Sequence, residues 1–147
     1  IVVLQAIFMK LTTKGRYAVM AMADLASYAD KRPISLTEIS LRQNISLPYL
    51  EQLFSKLKKK NLVKSIRGVN GGYILEKPAS QIKISNIIFA VDETVQTLNC
   101  KKDSKRGCNH KTMKCITHNL WDDLEQHINS FFEKIKLEDL VDKSRNI

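Results

Sequence analysis

The sequence predicts a mainly α-helical chain with a small β-hairpin, and three observations carry that reading. Apolar residues recur at helical spacing along residues 17–28, 50–57 and 121–135. Helix-capping residues punctuate the first half of the chain. The strand-like runs sit on either side of a glycine-rich stretch at residues 68–72. At 147 residues the chain has room for one hydrophobic core. With 44% hydrophobic and 27% charged residues it reads as a globular chain, which excludes collagenous, mucin-like and wholly disordered classes.

Thr12 or Thr13 can cap a first helix running to about Ala29, with Tyr17, Ala18, Ala21, Leu25 and Tyr28 on one face. After Pro33, Ser35-Leu36-Thr37-Glu38 has capping-box spacing, so a short helix is expected from Leu36 to about Gln43. Asn44 suits a left-handed helix end, and Ser46 is placed to cap the next helix. That helix carries Leu50, Leu53, Phe54 and Leu57 inward and Tyr49, Glu51, Gln52, Lys56 and Lys59 outward. Asn61 ends it. Residues 62–66 and 73–75 then read as the two strands of a hairpin with a glycine-rich tip.

Ser85 is expected to begin another short helix, Asn86 to about Val91. A polar stretch holding all three cysteines follows, and then a final long helix. There Trp121, Leu124, Ile128, Phe131 and Ile135 alternate three and four residues apart, a narrow apolar seam of the coiled-coil kind, widened by Leu120 and Phe132. Such a seam serves the helix's own core or a partner, and the spacing alone leaves both open.

Charge is unevenly placed. Residues 1–90 hold 14 basic and 5 acidic side chains, whereas residues 91–147 hold 10 of each. The polyanion-binding half is therefore the N-terminal one. Helix, tight turn, helix and glycine-tipped hairpin in this order describe a winged helix-turn-helix, whose second helix enters the major groove of DNA. Thr12, Lys14, Arg16, Tyr49, Glu51, Gln52, Lys56, Lys59 and Arg67 are the candidate DNA contacts. Lysine and arginine supply phosphate attraction, and Gln52 can pair with an adenine edge. Glu51 repels phosphate and can accept from a cytosine amino group, which would make it a sequence filter. Arg67, beside Gly68 at the hairpin tip, can enter a narrow minor groove. The competing reading of the set is a solvated basic face, with Glu51 paired to a nearby lysine.

Three cysteines in a chain without an export signal point to a reducing, cytoplasmic setting and to metal chemistry. Apolar residues 1–8 are far shorter than the roughly 20 needed to span a bilayer, so no membrane association is expected. They precede Met9 and are expected to lie outside the fold. Cys100, Cys108, Cys115 and His118 can close one site, with Cys115 and His118 sharing a helix face at i and i+3. This donor set fits structural zinc or an iron-sulfur cluster, and spacing does not separate them. Lys101, Lys102, Lys105, Arg106, Lys111 and Lys114 surround it; His110 is a competing ligand. No phosphate loop, dinucleotide fingerprint or nucleophile-base pair suggests an enzyme.

Leu11 to Ala18, Tyr49 to Phe54, Arg67-Gly68 with Gly71-Gly72-Tyr73, residues 90–93 and Cys115 to Trp121 together resemble the IscR family of bacterial iron-sulfur cluster regulators. The likeness runs from Met9 to about Val141. It implies a homodimeric transcription factor that regulates cluster-assembly genes and holds a [2Fe-2S] cluster through Cys100, Cys108, Cys115 and His118. It also implies dimerisation through the last helix, a role for Glu51 in letting the cluster alter site choice, and Arg67 in the minor groove. The resulting organisation is a DNA-binding domain over 9–91, a cluster-binding loop over 92–118, and a dimerisation helix with its tail over 118–141. The loops between cysteines are longer and richer in lysine than the family's familiar pattern. A zinc-stapled nucleic-acid-binding module without sensing, and a nitric-oxide-responsive regulator of the same family, are the alternatives.

Overall fold

In the computed structural model, which describes residues 13–28, 32–91 and 116–145, helix α1 (Thr13–Tyr28) forms the centre of the helical half. Small residues Ala18 and Ala21 alternate with Met22 and Leu25 on its buried face, so α2 (Leu36–Gln43) and α3 (Leu47–Lys59) approach closely. Tyr28 is exposed rather than part of that face, and Arg42 stacks over its ring at 4.3 Å.

The helix-turn-helix forms as its capping residues dictate. Ser35 Oγ accepts from the Glu38 amide and the Glu38 carboxylate accepts from the Ser35 amide, both at 3.2 Å. Asn44 ends α2 in the left-handed conformation at φ 55°, and Ile45 turns into the core. Ser46 takes the N-cap position of α3, but its side chain makes no capping bond; Pro48 in the first turn sets the helix start instead. Leu50, Leu53, Phe54 and Leu57 are all buried.

Asn61, also left-handed at φ 59°, releases the chain into β1 (Val63–Ile66), which pairs antiparallel with β2 (Gly72–Leu75) in the register Val63 to Leu75 through Ile66 to Gly72. Ile34, in the linker between α1 and α2, brings a third chain segment to the hairpin by pairing with Tyr73 of β2. A single 3₁₀ turn at Ala79–Gln81 leads to α4 (Ile84–Ala90). This helix starts before Ser85, because starting at Ile84 turns Ile84, Ile87, Ile88 and then Val91 inward; Asn86 caps it by accepting from the Lys83 amide at 3.0 Å.

The final helix differs more. α5 (His118–Lys134) stops at Lys134, and Ile135 is extended at φ −94°, ψ 128°. The Ile84 amide donates to the Ile135 carbonyl at 3.0 Å and the Leu137 amide to the Ile82 carbonyl at 2.8 Å, closing a short antiparallel clasp. Ile135 thus leaves the helical seam and packs on the core. A further helix, α6 (Leu137–Arg145), is capped by Asp139, which accepts from the Lys136 amide, and returns to α1 with Leu137 fully buried. The stretch read as the tail of the last helix therefore belongs to the N-terminal core. Among the described residues, no helix is long and apolar enough to cross a membrane.

Candidate nucleic-acid interface

The exposed face of α3 is presented by what its buried face grips. Phe54 meets Tyr73 of the hairpin edge-on, with ring centroids 4.9 Å apart, and Tyr49 meets Tyr17 of α1 at 5.9 Å and 83°. The first contact fixes the hairpin against α3. The second joins the N-terminal part of α1, which carries exposed Lys14 and Arg16, to the N-terminal half of α3.

Glu51 and Gln52 are both exposed in the N-terminal half of α3, the part of a recognition helix that meets base edges. No described cation pairs with Glu51. Lys56 is half-buried and Lys59 fully on the surface. Lys58, absent from the sequence-based candidates, donates to Ser65 Oγ at 3.0 Å and ties the end of α3 to β1. Thr12 lies outside the described residues.

Arg67 stands apart from this group, at the hairpin's tip. Gly68 has φ 122°, open only to glycine without strain, and the Gly71 amide donates to the Gly68 carbonyl at 3.0 Å, so Val69 and Asn70 form the outermost turn. A Cβ on Gly71 would run into the Ile66 carbonyl oxygen. Arg67 is exposed and Val69 entirely so.

Sequence reading missed the network that holds α2 on α1. Asp24, its side chain only 1% exposed, accepts from Arg42 Nε at 2.9 Å and Nη2 at 2.7 Å and from Gln43 Nε2 at 2.8 Å. The Asp24 carboxylate raises the Arg42 pKa above its already high ordinary value. Neighbouring Arg42 and Gln43 close a helix while Asp24 sits on a predicted helix 18 residues away, so only the fold joins them. An aspartate on an otherwise apolar helix face was the available signal.

At the other candidate site, His118 is the first residue of α5 and is buried at 8% exposure. Trp121 Nε1 donates to Thr117 Oγ1 at 3.1 Å, fixing the turn that enters the helix. Cys100, Cys108 and Cys115 lie outside the described residues, and the described residues contain no cluster of three metal-ligating side chains. Along α5, Trp121 and Ile128 are half-buried, whereas Leu120, Leu124 and Phe131 are exposed.

Comparison with known proteins agrees with this architecture. Residues 11–143 match the Rrf2 family, described as iron-dependent transcriptional regulators. The HTH-type transcriptional regulator IscR of Photorhabdus laumondii is 51% identical over 133 residues, covering 90% of this chain and 79% of that protein. Among solved structures, T. potens IscR superposes with a TM-score of 0.74 at 36% identity, covering 92% of this chain and 88% of that one. CymR, the global cysteine regulator of B. subtilis, gives 0.76 at 32%, covering 91% and 97%. These relatives are transcriptional regulators, not enzymes, and a DNA-binding winged helix-turn-helix is what the described residues build. The protein belongs to the Rrf2 family of transcriptional regulators.

Proposed function

We propose that the protein is a homodimeric, cytoplasmic transcription factor that holds a [2Fe-2S] cluster on Cys100, Cys108, Cys115 and His118 and controls genes for cluster assembly. The observation that carries this reading is His118. Its imidazole is a buried nitrogen donor at the first position of a 17-residue helix, three residues after Cys115. Three thiolates and one imidazole suit such a cluster, and the positive end of a helix favours the anionic charge they produce together. The 51% identity to an IscR regulator over 90% of the chain supports the same choice. When bound, the cluster would supply an occupancy-dependent crosslink between the cysteine segment and α5.

In this reading Lys14, Arg16, Lys56 and Lys59, with Thr12 and Tyr49, contact the phosphate backbone. Gln52 reads a base edge, Glu51 filters sequences lacking a donor, and Arg67 enters the minor groove. Cluster occupancy changes site choice only to the extent that the cluster binds one conformation better than another. Trp121, Leu124, Ile128 and Phe131 contribute the dimer seam. Ile135, placed there by spacing, sits instead in the clasp described above.

The test is anaerobic purification followed by a visible absorption spectrum and iron, sulfide and zinc analysis of the same sample. Brown protein with equal iron and sulfide is expected, and His118→Ala should lose both. Zinc without sulfide would overturn the cluster in favour of a stapled module.

A further inference from the structure

The linker between α1 and α2 carries an ion pair that the reading above leaves without a role. Arg32 forks onto Glu38, Nη2 to Oε1 at 2.7 Å and Nη1 to Oε2 at 3.1 Å. The same Oε2 accepts the Ser35 amide that opens α2. One carboxylate thus caps a helix and holds the linker that leads into it.

That linker is part of the wing. The Ile34 amide donates to the Tyr73 carbonyl at 3.0 Å and the Tyr73 amide to the Ile34 carbonyl at 2.7 Å, with the Ile34 side chain fully buried. Gly72 lies so close to the Ile34 backbone that any Cβ there would overlap it. The hairpin tip faces the ion pair: Arg32, Glu38 and Ser35 on one side and Val69, Asn70 and Gly71 on the other line a cavity of about 470 Å³. A continuous set of contacts therefore runs from Arg32 and Glu38 through Ile34 to β2, and across the hairpin to Ile66, the residue before Arg67.

We infer that Arg32 and Glu38 are positioning residues for DNA recognition, their pair setting the pose of the hairpin so that Arg67 and the exposed face of α3 engage one duplex together. The inference rests on the proposed minor-groove role of Arg67 and requires no contact between the pair and DNA. Exposed pairs contribute little to overall stability, so the consequence appears in binding and not in folding.

The two residues have opposite charges, which makes the inference testable. A direct electrostatic role predicts opposite effects: Arg32→Ala removes a cation and weakens binding, whereas Glu38→Gln removes an anion and strengthens it. Positioning predicts losses of the same sign. Glu38→Gln keeps an acceptor for the Ser35 amide, so the helix cap survives and only the ion pair is lost.

The experiment uses the full chain, with anisotropy titrations against a labelled duplex selected from a random-sequence pool by the wild-type protein. Both variants are expected to bind about fivefold more weakly with melting temperatures near wild type, and neither should weaken binding further in an Arg67→Ala background. Effects of opposite sign, unchanged affinities, or losses that persist in full beside Arg67→Ala would each overturn the positioning role. If Arg67→Ala alone leaves affinity intact, the minor-groove reading of Arg67 fails and the positioning role falls with it. Loss with Arg67→Ala but none with Arg32→Ala or Glu38→Gln removes the positioning role alone.

Discussion

Helices α1 and α5 have nearly the same length, 16 and 17 residues, yet α1 buries six of them and α5 buries His118 alone. Both carry apolar residues at helical spacing. What differs is where the partners for those residues lie. The face of α1 is covered by α2, α3, α4 and α6 of the same chain. α5 lies against α4 on one flank and is held at its end by the clasp and by Lys83, whose Nζ sits 3.0 Å from Glu133. Leu120 and Phe131 remain 59% and 57% exposed. Fully burying a side chain of this size is worth about 1.5–3 kcal/mol, so a helix that leaves several exposed has an unfinished interface. A second copy of the same helix, seam to seam, is the occupant that the proposed homodimer supplies.

The contrast is sharpest in the core. Leu25→Ala in α1 should destabilise the fold by about 3 kcal/mol, read as a lower midpoint of urea unfolding. Leu124→Ala in α5, the same chemical change, should cost the isolated chain less than about 0.5 kcal/mol at concentrations where it is monomeric. Equal losses would mean that α5 is as fully integrated as α1. Next in size is Asp24→Ala, which strips Arg42 and Gln43 of a shared, buried acceptor and should cost about 2–3 kcal/mol. Circular dichroism against urea, with Glu38→Gln as an exposed comparison, measures it.

The same contrast explains what could be read before the fold was known. Ser35, Glu38, Asn44 and Asn61 act on backbone within a few residues of themselves, and the helix-turn-helix appears where they place it. The four inward residues of α3 follow from period alone. The end of α5 did not follow, because nothing local stops a helix at Lys134: no glycine or proline is there, and the stop comes with the backbone clasp to Ile82 and Ile84 some fifty residues away. Ile135 therefore looked like one more seam position. Asp24 stood out on its apolar face, but its pairing with Arg42, like that of Arg32 with Glu38, was not legible, for the related reason that side-chain pairs across a linker carry no period. Of the candidate site, the face of α3 and Arg67 at its hairpin tip were legible as pattern. Whether Leu124 and Phe131 faced a core or a partner was not, since both demands write the same spacing.

Phe131→Ala tests the unfinished side of the comparison directly. Self-association measured by sedimentation equilibrium should weaken at least tenfold, about 1.4 kcal/mol, while the unfolding of the monomer stays within about 0.5 kcal/mol of wild type. Wild-type protein that stays monomeric as concentration is raised would remove the second copy as the partner of α5.

The smallest expected effect concerns pH and returns to the helical half, where a surface pair is held by a cap. The Arg32 guanidinium, hydrogen-bonded to Glu38, holds that carboxyl below the ordinary value of 4.5, and the Ser35 amide adds to this. Because the folded pKa is depressed, folding favours the ionised form, and the stabilisation is fully present above pH 4.5. It is lost as pH falls from there through the lower folded value. Wild type and Glu38→Gln should therefore differ by a constant small amount in unfolding midpoint above that pH and converge below it. Glu133 beside Lys83 is depressed in the same direction by the lysine's hydrogen bond, so Glu133→Gln should give curves of the same shape. If the two variants instead separate further as the solution is acidified, these carboxylates stabilise the unfolded chain more than the native one, and the pairs at the linker and the clasp do not act as the geometry requires.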